Sequence, residues 1–126
     1  MEVIREIKKR DDDQLGYQIT TDQQVIQLLI DNSADCCEQW GVITTEDNLP
    51  DFIGAELLSL AMVDTDYEKH PLTKEKGLYL AESGAVFIDV ETNKGKLQFV
   101  LYNEHEGYYG HQVKIVSRQL MHECYV

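Results

Sequence analysis

Positive charge is scarce in this chain. Of 126 residues, 11 are Lys or Arg and 23 are Asp or Glu, a net charge of −12. A surface this acidic repels polyanions, which argues against docking on nucleic-acid polymers or on anionic lipid. No run of about 18 apolar residues occurs, so no helical membrane span is expected. Met1 to Arg10 alternates charged and apolar residues and lacks the apolar stretch of a signal peptide. A cytosolic location is the expectation from these absences. Cysteine is also sparse: Cys36 and Cys37 are adjacent and Cys124 stands apart. An odd count with a neighbouring pair makes a poor disulfide framework, and no C-x-x-C spacing exists to hold zinc. Reduced thiols are expected. G-x-S-x-G, P-loop and G-x-G-x-x-G patterns are missing too, so common hydrolase and nucleotide-motor readings lack support.

What is present fits one domain over residues 1–126, large enough to bury roughly two thirds of its unfolded surface without a staple. Residues 1–22 are read as a peripheral N-terminal extension, with Asp11 to Asp13, after Lys8, Lys9 and Arg10, forming a solvated turn between two short segments. Gln24 to Asp31 is short, β-branched and bounded by polar residues, the mark of a strand. Asn32 to Asp35 reads as a loop, and Cys36 to Thr44 as a further strand. Thr45 to Gly54 combines a cap, Pro50 in a single helical turn and a glycine exit. Ala55 to Val63 is assigned to a strand, and Asp64 to Lys76 to a mobile loop.

The clearest local signal follows. Val86–Thr92 and Lys96–Tyr102 alternate around a turn at Asn93-Lys94-Gly95. Val86, Ile88 and Val90 share one face with Leu97, Phe99 and Leu101. Gln112 to Val116 alternates again and is expected to close an antiparallel meander. The fold class is therefore α+β, a small domain dominated by an antiparallel β-sheet with one or two short helices.

Tyr102 to His111 links two of these strands with ten residues, where two to five suffice. Its tyrosines offer faces on which a base stacks, Asn103 offers an amide that donates and accepts, and Gly107 and Gly110 let a ligand approach the backbone. The same features also suit a loop that merely covers a core. His105 and His111, with Glu104 and Glu106, sketch a metal site that lacks a third strong ligand, so no metal is expected. Lys94, Lys96, Lys114 and Arg118 cluster in sequence around the C-terminal strands. Arg118, with its planar fork, is the best partner for a phosphate.

Two pieces together resemble a family of small phage proteins that counter the bacterial Thoeris defence. One is Asp35-Cys36-Cys37-Glu38 followed by the turn ending in Ile53-Gly54. The other is Tyr102-Asn103 with Gly107-Tyr108-Tyr109-Gly110-His111. The likeness spans about residues 24 to 117. It implies a non-enzymatic sponge that sequesters cyclic ADP-ribose isomers made by TIR-domain enzymes, and in some members cyclic di- or trinucleotides. It also implies a homo-oligomer, dimer or hexamer, acting in the cytoplasm of the infected cell, with no cofactor. On this likeness the ligand residues are Asn103, His105, Gly107, Tyr108, Tyr109, Gly110, His111 and Arg118. Glu106 stands where the family pattern leads one to expect asparagine, which leaves ligand preference open. Two other classes compete: a small metal-dependent nucleotide hydrolase using His105 and His111, and an acidic decoy that binds a protein.

Overall fold

The computed structural model describes residues 1–32, 39–44, 48–63, 85–104, 111–118 and 120–126. The described strands are β1 (Ile4–Asp11), β2 (Gln14–Thr21), β3 (Val25–Asp31), β4 (Gln39–Thr44), β5 (Leu57–Val63), β6 (Ala85–Thr92), β7 (Gly95–Glu104), β8 (Gln112–Val116) and β9 (Met121–Tyr125). They form two antiparallel sheets, one ordered β1-β2-β3-β8-β9 and the other β4-β7-β6-β5. The α+β expectation holds for its sheet. Its helical part reduces, among the described residues, to a 3-10 turn at Leu49–Phe52. Pro50 sits in the first turn of that helix and Phe52 is buried. Among the described residues, no helix is long and apolar enough to cross a membrane.

Period-two alternation explains how the sheets stack. Ile26, Leu28 and Ile30 of β3 and Val113 and Ile115 of β8 turn inward from one sheet. Val86, Ile88 and Val90 of β6 and Leu97, Phe99 and Leu101 of β7 turn inward from the other. All belong to one hydrophobic core. The β6–β7 register pairs Val86 with Leu101, Ile88 with Phe99 and Val90 with Leu97, which puts them on the shared face the sequence predicts. The hairpin closes at the Thr92–Gly95 pair, and Gly95 takes φ +134°, which an L side chain rarely adopts. Across the sandwich, the Tyr17 and Phe99 rings lie 5.3 Å apart, centre to centre.

Three expectations need correction. The meander fails because β7 is already flanked by β4 and β6, so neither edge is open. β8 instead pairs with β3, setting Ile115 against Leu28 and Val113 against Ile30. Alternation identifies a strand and its buried face but not its neighbour. Residues 1–22 are not peripheral either. β1 and β2 are integral to the five-stranded sheet, and Ile4 and Ile19 are fully buried. Their core role is masked by the charges that β1 carries as an edge strand, where charge discourages further pairing. Finally, β9 was not anticipated, because its residues alternate only between half-buried and exposed. The Asp64–Lys76 loop and Cys36 and Cys37 lie outside the described residues. Cys124 is a free thiol, half-buried, and burial raises its pKa.

The two sheets are tied at one end through the N-terminus. Ile4 N–H donates to Ala55 O (2.9 Å), Gly54 N–H to Ile4 O (2.8 Å) and Leu57 N–H to Glu2 O (2.8 Å). A different tie, made of polar side chains, closes another corner.

Candidate functional site

Three inward-facing rows change character at that corner. On β7 the row Leu97, Phe99, Leu101 continues to Asn103. On β8 the row Ile115, Val113 runs back to His111. On β3 the row Ile26, Leu28, Ile30 runs on to Asn32. The first two ends are buried, Asn103 with no exposure and His111 with 1%. Trp40 faces Asn103 across the β4–β7 ladder and packs against the core. Period-two alternation thus delivers three polar side chains and an indole to the crossover between the sheets.

Buried polar groups need partners, and most are found locally. Asn103 Nδ2 donates to the Val126 main-chain oxygen at 3.1 Å. The same oxygen accepts the His111 N–H at 3.1 Å, and Val126 N–H returns a bond to His111 O at 3.0 Å. The His111 ring stacks on Trp40 with centroids 4.4 Å apart and planes 24° apart. Trp40 Nε1 donates to Asn32 Oδ1 at 2.8 Å, and Asn32 Nδ2 donates to Asp11 Oδ1 (3.1 Å) and to Asp12 O (2.9 Å). His111 Nδ1 lies 2.8 Å from Asp31 O. A carbonyl only accepts, so Nδ1 carries a proton, and in the neutral ring Nε2 then holds a lone pair. Nε2 is buried and has no hydrogen-bond partner among the described residues.

The electrostatics of the corner are acidic. Asp11, Asp12 and Asp13 lie on the β1–β2 turn that Asn32 binds. The guanidinium of Arg10 is held by Asp12 at 3.1 Å and Asp13 at 3.5 Å. The pKa of Asp12 is lowered, chiefly because the Gln14 N–H donates to its carboxylate. Desolvation opposes this, and Arg10 adds to it.

The expected ligand residues divide into three groups. Asn103 and His111 come together through Val126. His105, Gly107, Tyr108, Tyr109 and Gly110 lie outside the described residues. Arg118 falls at the opposite end of β8 from His111. There its N–H donates to Gln24 Oε1 (2.8 Å) and its Nη1 to Gln23 Oε1 (3.2 Å). A strand of this length holds the two residues about 20 Å apart, so they do not share one pocket within one chain. The lysines do not gather either. Lys96 pairs with Asp89 (3.4 Å), and Lys94 Nζ donates to Asp51 O (3.3 Å). Lys114 sits in β8 opposite Leu29 and Glu123. Among the described residues, no group of three His, Cys, Asp or Glu side chains is placed to hold a metal. Sequence reasoning passed over Asn32 and gave Trp40 no site role. The signal available was an apolar period-two row ending in a polar residue, repeated on three strands.

The geometry defines a two-sheet antiparallel β protein with a buried polar corner at the sheet crossover. The chain matches, over residues 2–115, the family described as a domain of unknown function (DUF7448), and it belongs to that family. Neither curated proteins nor solved structures give a match.

Proposed function

We propose that the protein is a stoichiometric sponge for cyclic ADP-ribose isomers, with cyclic di- and trinucleotides as a second ligand class, acting as a homo-oligomer in the cytoplasm of an infected bacterium. The supporting observation is the polar corner. Asn103 and His111, which stand on either side of the 104–110 stretch, are anchored on one main-chain oxygen and backed by an indole. Such anchoring gives the base of a binding loop a fixed geometry, which lowers the ordering cost of binding. Sequestration needs no nucleophile and no perturbed acid or base. It needs enclosure and affinity, and a nanomolar complex is worth about −12 kcal/mol.

A thermal-shift screen against cyclic ADP-ribose isomers and cyclic di- and trinucleotides tests the reading. At a ligand concentration 100 times Kd the folded state gains about 2.7 kcal/mol, which raises Tm by about 10 °C in a chain of this size. Heat-denatured complex must then release ligand intact. Recovery of cleaved ligand identifies a hydrolase. Binding that collapses with salt, with no shift from any nucleotide, identifies an acidic decoy.

A further inference from the structure

We propose that His111 Nε2 selects a neutral hydrogen-bond donor on the bound nucleotide, a ribose hydroxyl or a base amine, and that the phosphates lie away from this corner. The proposal rests on the sequestration reading and specifies its chemistry. Three observations lead to it. The contact from Nδ1 to Asp31 O fixes the tautomer of the neutral ring, in which Nε2 presents a lone pair and no proton. The stack on Trp40 fixes the plane of the ring and therefore the direction of that lone pair. The ring is 1% exposed, and Nε2 is the buried atom that the fold leaves unmatched on it. Buried polar atoms left unmatched by the fold are uncommon and call for a ligand, an ion or an ordered water.

The identity of the partner follows from the lone pair. An ionised phosphate oxygen is itself an acceptor and cannot pair with it. The acidic turn bound through Asn32 adds repulsion in the same direction. A metal would accept the lone pair, but the described residues gather no further ligands around it. A hydroxyl or an amine carries the proton that Nε2 lacks.

The test uses the full chain and two substitutions. In His111→Asn the side-chain amide can take the position of Nδ1 and keep the bond to Asp31, with nothing left at Nε2. In His111→Gln an amide group reaches the Nε2 position and can still accept. Folding of both is checked by circular dichroism. Affinity for cyclic ADP-ribose isomers should fall about ten-fold or more in His111→Asn and recover in part in His111→Gln. Isomer analogues lacking one ribose hydroxyl, or methylated on the base amine, separate the two donor types by which one reproduces the loss. Ring ¹⁵N spectra of the wild type give a readout that does not depend on the variants. The free protein should show Nδ1 protonated, and saturating ligand should move the Nε2 resonance. Wild-type affinity in His111→Asn, a protonated Nε2 in the free protein, or an Nε2 resonance unmoved at saturation would each overturn the assignment while leaving sequestration intact. The last of these means that a resident water satisfies the ring. If no cyclic nucleotide binds the wild type, both readings fall together.

Discussion

Asn103→Ala probes the corner most directly, because Asn103, a ligand residue in the sequence reading, also holds a bond within the fold. Its side chain is fully buried and donates a bond of 3.1 Å to Val126 O. Losing a neutral hydrogen bond costs about 1 kcal/mol. The Val126 oxygen is not orphaned, since the His111 N–H still reaches it at 3.1 Å, so no full desolvation penalty is added. Removing the amide leaves unfilled space in a closed position, worth about 1–2 kcal/mol more. The sum, about 2–3 kcal/mol, is a large share of a typical stability of about 5–15 kcal/mol but does not unfold the protein. With a urea slope of about 2 kcal/mol/M, the midpoint should drop by about 1–1.5 M. Asn103→Asp should be worse than alanine, because it keeps the volume, removes the donor and points a carboxylate at a main-chain oxygen. The assay is equilibrium urea unfolding followed by Trp40 fluorescence and by circular dichroism. A midpoint within 0.3 M of wild type for the aspartate variant, inside about 0.6 kcal/mol at that slope, would refute the buried bond. A ligand-binding defect in Asn103→Ala counts as evidence for a site only when measured well below the melting temperature of the variant itself.

Three further outcomes follow from other positions. Gly16 has φ +149°, and a Cβ there would meet Leu28 O at 2.0 Å, so Gly16→Ala should cost about 3–5 kcal/mol by urea unfolding; a loss under about 1 kcal/mol would contradict the close approach of β2 to β3. Trp40→Phe keeps a ring to stack on His111 but loses the Nε1 bond to Asn32, and should cost about 1 kcal/mol when unfolding is followed by circular dichroism. Asp12 has a depressed pKa in the folded state, so its contribution is complete above the unfolded value of 3.8 and is lost as pH falls through the lower folded value. Asp12→Asn should therefore show a shallower loss of stability on acidification than wild type, and parallel curves would show that the carboxylate bond to Gln14 contributes nothing.

The sheet was legible where alternation was strong and local. β3, β6, β7 and β8 combine β-branched residues with clean periodicity, and the Thr92–Gly95 turn carries its own chemistry, so each could be read from a few residues. Partner choice was not legible, because a period of two says which face is buried and nothing about which strand lies alongside. The turn between β1 and β2 was legible from Asp11 to Asp13, but their place in the core was not: β1 is an edge strand that shows its charges, and Ile4 and Ile19 are too few to outweigh Arg5, Glu6, Lys8, Lys9 and Arg10 in a local reading. At the site, Asn103 and His111 stood out by residue type, but their shared partner Val126 is distant in sequence and carries no side-chain signal. Arg118 was chosen for its chemistry alone, and only the length of β8 shows how far it stands from His111.

That distance makes the proposed sponge testable in another way. A ligand pocket of about 500 Å³ is about 10 Å across, and His111 and Arg118 of one chain are about 20 Å apart. If both contact the same ligand, they must come from different copies, with His111 of one chain receiving the donor and Arg118 of its neighbour meeting the phosphate. In a two-fold dimer with two such shared sites, a mixed pair of His111→Asn and Arg118→Ala chains holds one site with both defects and one with neither. Random mixing makes half the dimers mixed, so about a quarter of all sites should regain full affinity, although neither variant alone binds tightly. Co-expressing the two variants with different tags, purifying the doubly tagged species and titrating it with a cyclic ADP-ribose isomer measures this directly. Restored binding at about one site per mixed dimer requires a pocket shared between copies. No restoration, with the dimer intact, removes Arg118 from the site and requires the phosphates to find another cation.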